Sequence, residues 1–290
     1  MATRVCAVVG AGVMGGDIAL DLAGHEYEVI LKDLTDERLA KAGDNIRRTY
    51  NLVKLTQREH FSSSFDELLS RIKFVTDYDS FHKVDIVVEN ITERYEAKKS
   101  LYAELRTVCR DDVLFGANTS CISITRIGAL MPRPENVIGM HFMNPVPLKP
   151  LVEVIRGHHT SDQTVDRTRS FIKSLDKTCV VVNDSPGFAS NRVLMITINE
   201  SIWLVQDGVA QAKDIDTIFK LGFGHKMGPL ATADLIGLDT ILDSLMVLYE
   251  SYNDPKFRPC PLLRKMVDAG LLGTKSGRGF FEYEGKRRGV

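Results

Sequence analysis

The first 33 residues constrain the fold more than any other part of the chain. A short apolar run, RVCAVV at 4–9, leads directly into the glycine motif GAGVMG at 10–15. Apolar residues at helical spacing follow at 17–24, and a second apolar run at 28–31 ends in Lys32 and Asp33. This order of strand, glycine turn, helix, strand and acid predicts a βαβ unit that opens a doubly wound, mostly parallel sheet.

The glycine motif has the features of a dinucleotide site. Gly10 allows a tight turn, Gly12 lets a pyrophosphate approach the backbone, and Gly15 lets the helix pack on the strand. The helix N-terminus offers N–H groups and the positive end of its dipole to the phosphates. We predict that the cofactor residues of this motif are Gly10, Gly12, Val13, Met14 and Gly15.

Asp33 follows Gly10 by 23 residues and can accept hydrogen bonds from both hydroxyls of an adenosine ribose. An acid there repels the extra phosphate of NADP, so NAD is the expected cofactor. The nearby cations Lys32 and Arg38 leave NADP open. A glycine-rich structural turn with a solvated Asp33 is the alternative interpretation.

Composition excludes several classes of function. The 290 residues are 44% apolar and 26% charged with a net charge of −1, which predicts two globular domains and no nucleic-acid or membrane partner. The first strand begins too early to leave room for a signal peptide. Five scattered cysteines without a CxxC motif predict reduced thiols in a cytoplasmic protein, and no metal site is expected.

Two helices are predicted at 37–54 and 62–71, and they would form an antiparallel pair that projects from the sheet. The first carries Arg47, Arg48 and Lys54. These cations suit a phosphorylated arm of a substrate, because Lys and Arg are the usual phosphate partners. A solvated helix face is the alternative.

Polar side chains follow the next predicted strands, at 72–76, 85–88 and 113–117. Ligands of open parallel sheets bind outside the carboxyl ends of strands, so Glu93, Lys98 and the segment Asn118 to Ser120 fall near the expected crevice. Helix capping and surface positions are the alternatives for these residues.

The segments VIGMHF at 137–142 and LVEVI at 151–155 predict a hairpin that places His141 opposite Glu153. A carboxylate beside an imidazole fixes its tautomer and suits a proton acceptor at neutral pH. An unpaired charge in an apolar strand is costly to bury, so the two residues predict a catalytic pair.

The alternation of strands and helices stops after the last predicted strand. Helices are predicted at about 191–208, 213–222, 230–252 and 262–269, which gives a sheet domain at 1–186 and an all-helical domain at 187–290. Asn191 would then point back into the cleft between the domains, or it is simply an N-terminal residue of a helix.

The chain resembles the 3-hydroxyacyl-CoA dehydrogenase family, and among its members the short bacterial 3-hydroxybutyryl-CoA dehydrogenases. The motifs that carry the resemblance span the chain in order: GAGVMG at 10–15, ANTSCISIT at 117–125, GMHFMNP at 139–145, LVEVI at 151–155, DSPGFASNR at 184–192 and GHKMGPLATADLIGLDT at 224–240.

The resemblance implies a Rossmann-type domain, an NAD-dependent exchange between 3-hydroxyacyl and 3-oxoacyl thioesters, and a homodimer formed through the C-terminal domain. It implies that His141 takes the hydroxyl proton, that Glu153 orients its ring, and that Ser120 and Asn191 hydrogen-bond the substrate. The cofactor-side positions that it implies are Asp33, Glu93, Lys98, Asn118 and Asn144.

Several positions depart from the family pattern. Phe142-Met143 replaces two aromatic residues, Cys121 stands where serine is usual, and residues 55–58 (LTQR) replace a lysine cluster that serves the CoA nucleotide. The family resemblance therefore leaves open a second substrate class, hydroxyacyl (for example hydroxymalonyl) groups on an acyl carrier protein. A β-hydroxyacid dehydrogenase that uses a lysine instead of the pair, and a non-catalytic NADH-binding protein, are further alternatives.

Overall fold

The computed structural model describes residues 5–57 and 60–283, and their contacts divide the chain into two compact units, Met1–Ser185 and Pro186–Val290. The first unit contains an eight-stranded sheet in the order β3-β2-β1-β4-β5-β6-β7-β8. Its strands are β1 Val5–Val9, β2 Glu28–Lys32, β3 Ile72–Val75, β4 Ile86–Glu89, β5 Leu114–Ala117, β6 Val137–Phe142, β7 Leu151–Arg156 and β8 Thr178–Asn183.

Neighbouring strands are parallel except for β6 and β7, which pair in antiparallel fashion. Apolar residues fill the central strands because helices cover both faces of such a sheet. The predicted doubly wound, mostly parallel Rossmann-type sheet is confirmed.

The helices of the first unit follow the predicted alternation with the strands, and the glycine motif begins the first of them. They are α1 Val13–Gly24, α2 Asp36–Thr56, α3 Phe65–Ser70, α4 Tyr95–Val108, α5 Ile124–Gly128 and α6 Asp162–Lys173. We call residues 36–70, which contain α2 and α3, the helical arm. Helix α3 is shorter than predicted because Ser64 caps it in a capping box with Glu67.

The second unit is all-helical in its described part, with a core of its own. Its helices are α7 Ser190–Gln206, α8 Ala212–Thr217, a π-helical turn Ile218–Gly222, α9 Pro229–Ile236, α10 Leu238–Tyr252 and α11 Pro261–Asp268. The single helix predicted at 230–252 is wrong, because Gly237 interrupts it with a φ of 106° that a helix cannot contain. The predicted all-helical domain is confirmed.

In the two ranges that the structure describes, no helix combines the length and the apolar character that crossing a membrane would require.

Candidate active site

A cavity of about 770 Å³ lies at the carboxyl ends of β1, β2 and β4. The glycine motif forms one wall, and Asp33 and Asn90 contribute to the rest. Gly10 has a φ of 101°, and a Cβ there would lie 2.5 Å from the Asn90 carbonyl oxygen. A Cβ on Gly12 would meet nothing within 4 Å, so that glycine leaves the approach to the backbone open.

Asp33 is held in place by the backbone around it. The Ala11 N–H donates to Asp33 Oδ2 at 2.7 Å, and the Leu34 N–H donates to Oδ1 at the same distance. Arg38 lies 3.3 Å from Oδ1 through Nη1. A fixed carboxylate beside a glycine turn and a helix N-terminus is the arrangement that a dinucleotide requires.

Lys32 and Tyr78 line the same cavity. The ammonium of Lys32 lies 4.3 Å from the centre of the Tyr78 ring, a cation–π contact. The sequence singled out Lys32 but gave no sign of Tyr78, which lies 46 residues farther along the chain.

Lys98 has a buried partner that sequence reasoning missed. Its Nζ lies 2.7 and 2.9 Å from the two carboxylate oxygens of Glu89, and both side chains are almost fully buried. Burial raises the pKa of Glu89, and the ammonium of Lys98 opposes that effect. The described contact of Lys98 is thus with the end of β4, and its predicted contact with the cofactor stays a prediction.

Glu93 organises the loop that follows β5. Its Oε1 accepts hydrogen bonds from the Thr119 hydroxyl at 2.5 Å, the Ser120 N–H at 3.0 Å and the Cys121 N–H at 2.9 Å. These three donors fix the loop that presents the Ser120 side chain. The structure therefore connects Glu93 to a predicted substrate residue, while its role toward the cofactor stays a prediction.

The antiparallel pairing of β6 and β7 places His141 directly opposite Glu153. The two side chains are 3.0 Å apart, from Nδ1 to Oε2, and their exposed fractions are 9% and 4%. On the other side of the ring, Nε2 lies 3.4 Å from Ser120 Oγ. The predicted hairpin is thus observed, and it leaves Nε2 directed at a hydroxyl rather than at the carboxylate.

Asn118 joins this pair to the cofactor cavity. Its Oδ1 accepts from the Phe142 N–H at 3.1 Å, next to His141. Its Nδ2 donates to Oδ1 of Asn90, which lines the cavity. The amide therefore holds the strand of His141 in register with the wall of the cavity.

The predicted substrate cations lie on α2 in the helical arm. Arg47 and Arg48 are exposed, and the Arg47 guanidinium stacks on the Phe65 ring at 4.2 Å. Lys54 donates to the Phe61 carbonyl oxygen at 2.6 Å. Two of the three predicted cations, Arg47 and Lys54, therefore contact other residues of the helical arm.

Asn144 is exposed and precedes Pro145 through a cis peptide bond. We call residues 143–150, which connect β6 to β7, the β6–β7 loop. Asn191 belongs to the second unit, in the first turn of α7. The predicted roles of both asparagines stay predictions.

Comparison with known proteins assigns the family. Residues 5–185 match the family description "3-hydroxyacyl-CoA dehydrogenase, NAD binding domain", and residues 187–283 match "3-hydroxyacyl-CoA dehydrogenase, C-terminal domain". The match to the NAD-binding domain agrees with the cavity, and NAD is the cofactor of this chain.

Individual relatives cover nearly the whole chain. A "Probable 3-hydroxybutyryl-CoA dehydrogenase" of Deinococcus radiodurans is 46% identical over 276 residues, which are 95% of this chain and 99% of the relative. The 3-hydroxybutyryl-CoA dehydrogenase of Bradyrhizobium diazoefficiens is 42% identical over 97% of this chain and 95% of its own length.

A solved structure that is likewise named a 3-hydroxybutyryl-CoA dehydrogenase is also similar to the chain. The (S)-3-hydroxybutyryl-CoA dehydrogenase of Ralstonia eutropha superimposes with a TM-score of 0.91 at 40% identity, covering 98% of this chain and all of the other. The family match over both domains and these identities lead to one conclusion: the chain belongs to the 3-hydroxyacyl-CoA dehydrogenase family of enzymes.

Proposed function

We propose that the chain interconverts 3-hydroxyacyl-CoA and 3-oxoacyl-CoA with NAD, and that its substrate is a short thioester such as 3-hydroxybutyryl-CoA. The observation that carries the proposal is the buried pair of His141 and Glu153, with Nε2 of the imidazole directed at Ser120. The names of the relatives support the acyl length, because they are 3-hydroxybutyryl-CoA dehydrogenases.

In the proposed reaction, His141 Nε2 removes the proton of the C3 hydroxyl as the hydride leaves C3. NAD supplies the hydride acceptor when it is bound. Glu153 holds Nδ1 of the ring and stabilises the imidazolium that forms, since a charged acceptor strengthens that hydrogen bond. Ser120 and Asn191 donate hydrogen bonds to the substrate oxygen on which charge develops.

The test is oxidation of NADH with acetoacetyl-CoA, followed at the nicotinamide absorbance. We expect turnover by the wild-type enzyme and a strong loss in Glu153→Gln. Normal turnover in Glu153→Gln would contradict the pair and favour the β-hydroxyacid dehydrogenase class. Binding of NADH without turnover of any hydroxyacyl thioester would favour a non-catalytic role.

A second substrate class, hydroxyacyl groups on a carrier protein, has one observation in its favour. The Lys54 ammonium is bound to the Phe61 carbonyl oxygen within the arm, which leaves fewer cations for the phosphates of a CoA nucleotide. A carrier-linked thioester lacks the adenosine 3′-phosphate and needs fewer. Faster oxidation of a hydroxymalonyl carrier thioester than of 3-hydroxybutyryl-CoA would select this class.

We also propose that the second unit forms a homodimer with a second copy of the chain. The π-helical turn and the residue after it expose large apolar side chains. Their exposed fractions are 54% for Ile218, 83% for Leu221 and 66% for Phe223. Adjacent large apolar side chains at a surface favour association. Sedimentation of the wild type and of Leu221→Asp tests this: we expect a dimer for the former, and a monomeric wild type would refute the proposal.

A further inference from the structure

Helix α1 carries two carboxylates that the proposed reaction does not use. Asp17 and Asp21 are only 2% and 1% exposed, and a spacing of four residues places them on one face of the helix. Burying a carboxylate is costly unless it is partnered. The partners of Asp17 and Asp21 therefore show which segments these carboxylates hold together.

Asp17 contacts two segments that are far apart in the chain. Its Oδ1 accepts from the Thr49 hydroxyl of α2 at 2.7 Å, and its Oδ2 accepts from the Val146 N–H at 3.4 Å. Thr49 follows Arg48 directly in the helical arm, and Val146 lies two residues after Asn144 in the β6–β7 loop. One carboxylate thus bridges the two segments.

Asp21 holds the same loop through a lysine. Lys177 Nζ lies 3.2 Å from Asp21 Oδ2 and donates to the carbonyl oxygens of Val146 at 2.9 Å and Lys149 at 3.0 Å. His60, in the segment between α2 and α3, lies 3.9 Å from Asp21 Oδ1. Asp17 therefore binds an N–H group of the loop, and Lys177 binds two of its carbonyl oxygens.

We propose that Asp17 is a positioning residue that fixes the distance between the helical arm and the β6–β7 loop. The inference rests on the proposed function and extends it: Arg47 and Arg48 of the arm would bind the phosphates of the CoA thioester, and the loop follows His141, which would contact the C3 hydroxyl. A long flexible substrate loses less entropy at the reacting centre when its two binding segments are held at a fixed separation.

The first test measures amide hydrogen exchange in Thr49→Val. This substitution replaces the hydroxyl that donates a hydrogen bond to Asp17 with a methyl group. We expect exchange across residues 143–150 to be several-fold faster than in the wild type, although Thr49 lies outside that loop. Thr107→Val is the matched control, because its hydroxyl donates to the Glu104 carbonyl oxygen on the exposed surface of α4. Unchanged exchange of the loop in Thr49→Val would overturn the proposal.

The second test compares acetoacetyl-CoA with acetoacetyl-N-acetylcysteamine, a thioester that lacks the nucleotide. We expect Thr49→Val to raise KM for the CoA thioester about tenfold and to leave KM for the truncated one within about twofold, because only the former reaches the arm. Thr49→Ser, which keeps the hydroxyl, should restore the wild-type KM. Equal effects on both thioesters would overturn the positioning role.

The two tests separate the inference from the function on which it rests. A wild-type enzyme that turns over neither thioester would refute the proposed function. The exchange experiment would still decide whether Asp17 couples the arm to the loop, because it needs no substrate.

Discussion

Buried acids occur in both units of the molecule, but their partners differ. In the first unit, Glu153 contacts the imidazole of His141 and Glu89 contacts the ammonium of Lys98. In the second unit, Asp216 accepts from two backbone N–H groups at the start of α9. Glu153 and Glu89 are thus paired with basic side chains, whereas Asp216 is paired with backbone groups.

Asp234 of the second unit shows the contrast most clearly. It is fully buried and accepts from the N–H groups of Phe280 and Phe281 and from the Tyr283 hydroxyl. Burial raises its pKa, and these three donors oppose the rise. Its oxygens are occupied by groups that hold a turn in place. Burial alone therefore does not identify a catalytic carboxylate, and the role that we propose for Glu153 rests on its imidazole partner.

The largest expected effect is at the partner of Glu153. His141→Gln removes the group that would take the hydroxyl proton in oxidation and return it in reduction, and general acid–base catalysis contributes about 10²–10⁴-fold to rate. We expect kcat for acetoacetyl-CoA reduction to fall by that factor with the binding of NADH unchanged. Steady-state kinetics and NADH fluorescence titration measure both, and near-normal kcat would contradict the assigned role.

Glu153→Gln should come next, with kcat lower by about 10²-fold, because the neutral amide stabilises the imidazolium less well. The free energy of unfolding, measured in urea, should change little. A variant that kept its rate but lost stability would make Glu153 resemble the acids of the second unit.

For Asp234→Asn we expect the opposite of Glu153→Gln, namely a loss of stability with little change in kcat. Its amide NH₂ would face a backbone N–H donor, and an unsatisfied buried donor costs about 1–3 kcal/mol. We expect urea unfolding to show this loss while kcat per folded enzyme stays within about twofold. A large fall in kcat without a loss of stability would remove the difference between the two units.

Asp17→Asn gives the smallest effect and probes an intermediate case, since Asp17 accepts from both a side chain and the backbone. Burial raises the pKa of Asp17, so the native state binds its proton more tightly than the unfolded chain. That stabilisation is complete below the ordinary pKa, about 3.9, and is lost as pH rises through the raised native pKa.

The stability of the wild type relative to Asp17→Asn should therefore fall between pH 4 and neutral pH. Each pH unit by which the native pKa exceeds the ordinary one contributes about 1.4 kcal/mol. Urea unfolding of both proteins across this range measures the difference, and a constant difference would contradict the raised pKa.

The sequence predicted the sheet well because its signals are local. The glycine motif, the apolar strands and the alternation with helices each occupy a few consecutive residues, and so does the pairing of His141 with Glu153 across a short hairpin. The break at Gly237 was missed, since the apolar periodicity continues through it and one glycine is often tolerated in a helix.

The parts of the site that the sequence did not reveal depend on contacts that only the folded chain makes. Glu89 reads as the end of an apolar strand, and Asp17 and Asp21 read as polar positions on an amphipathic helix. Only the folded chain places Lys98 beside Glu89, or Lys177 beside Asp21. Lys177 and Asp21 are 156 positions apart, and the 9 positions from Glu89 to Lys98 run from the end of β4 into α4, so no spacing rule connects either pair.

The antiparallel step between β6 and β7 also bears on the order in which the site can form. His141 and Glu153 are 12 residues apart, whereas Asp17 and Val146 are separated by 129. Closing the longer loop costs about 2 kcal/mol more chain entropy than closing the shorter one. The contact between His141 and Glu153 is therefore one of low contact order, available to a single hairpin. Residues 143–150, by contrast, are anchored through Val146 to Asp17, which requires helix α1 to be in place. Recovery of full activity on refolding therefore reports on long-range assembly rather than on the contact between His141 and Glu153.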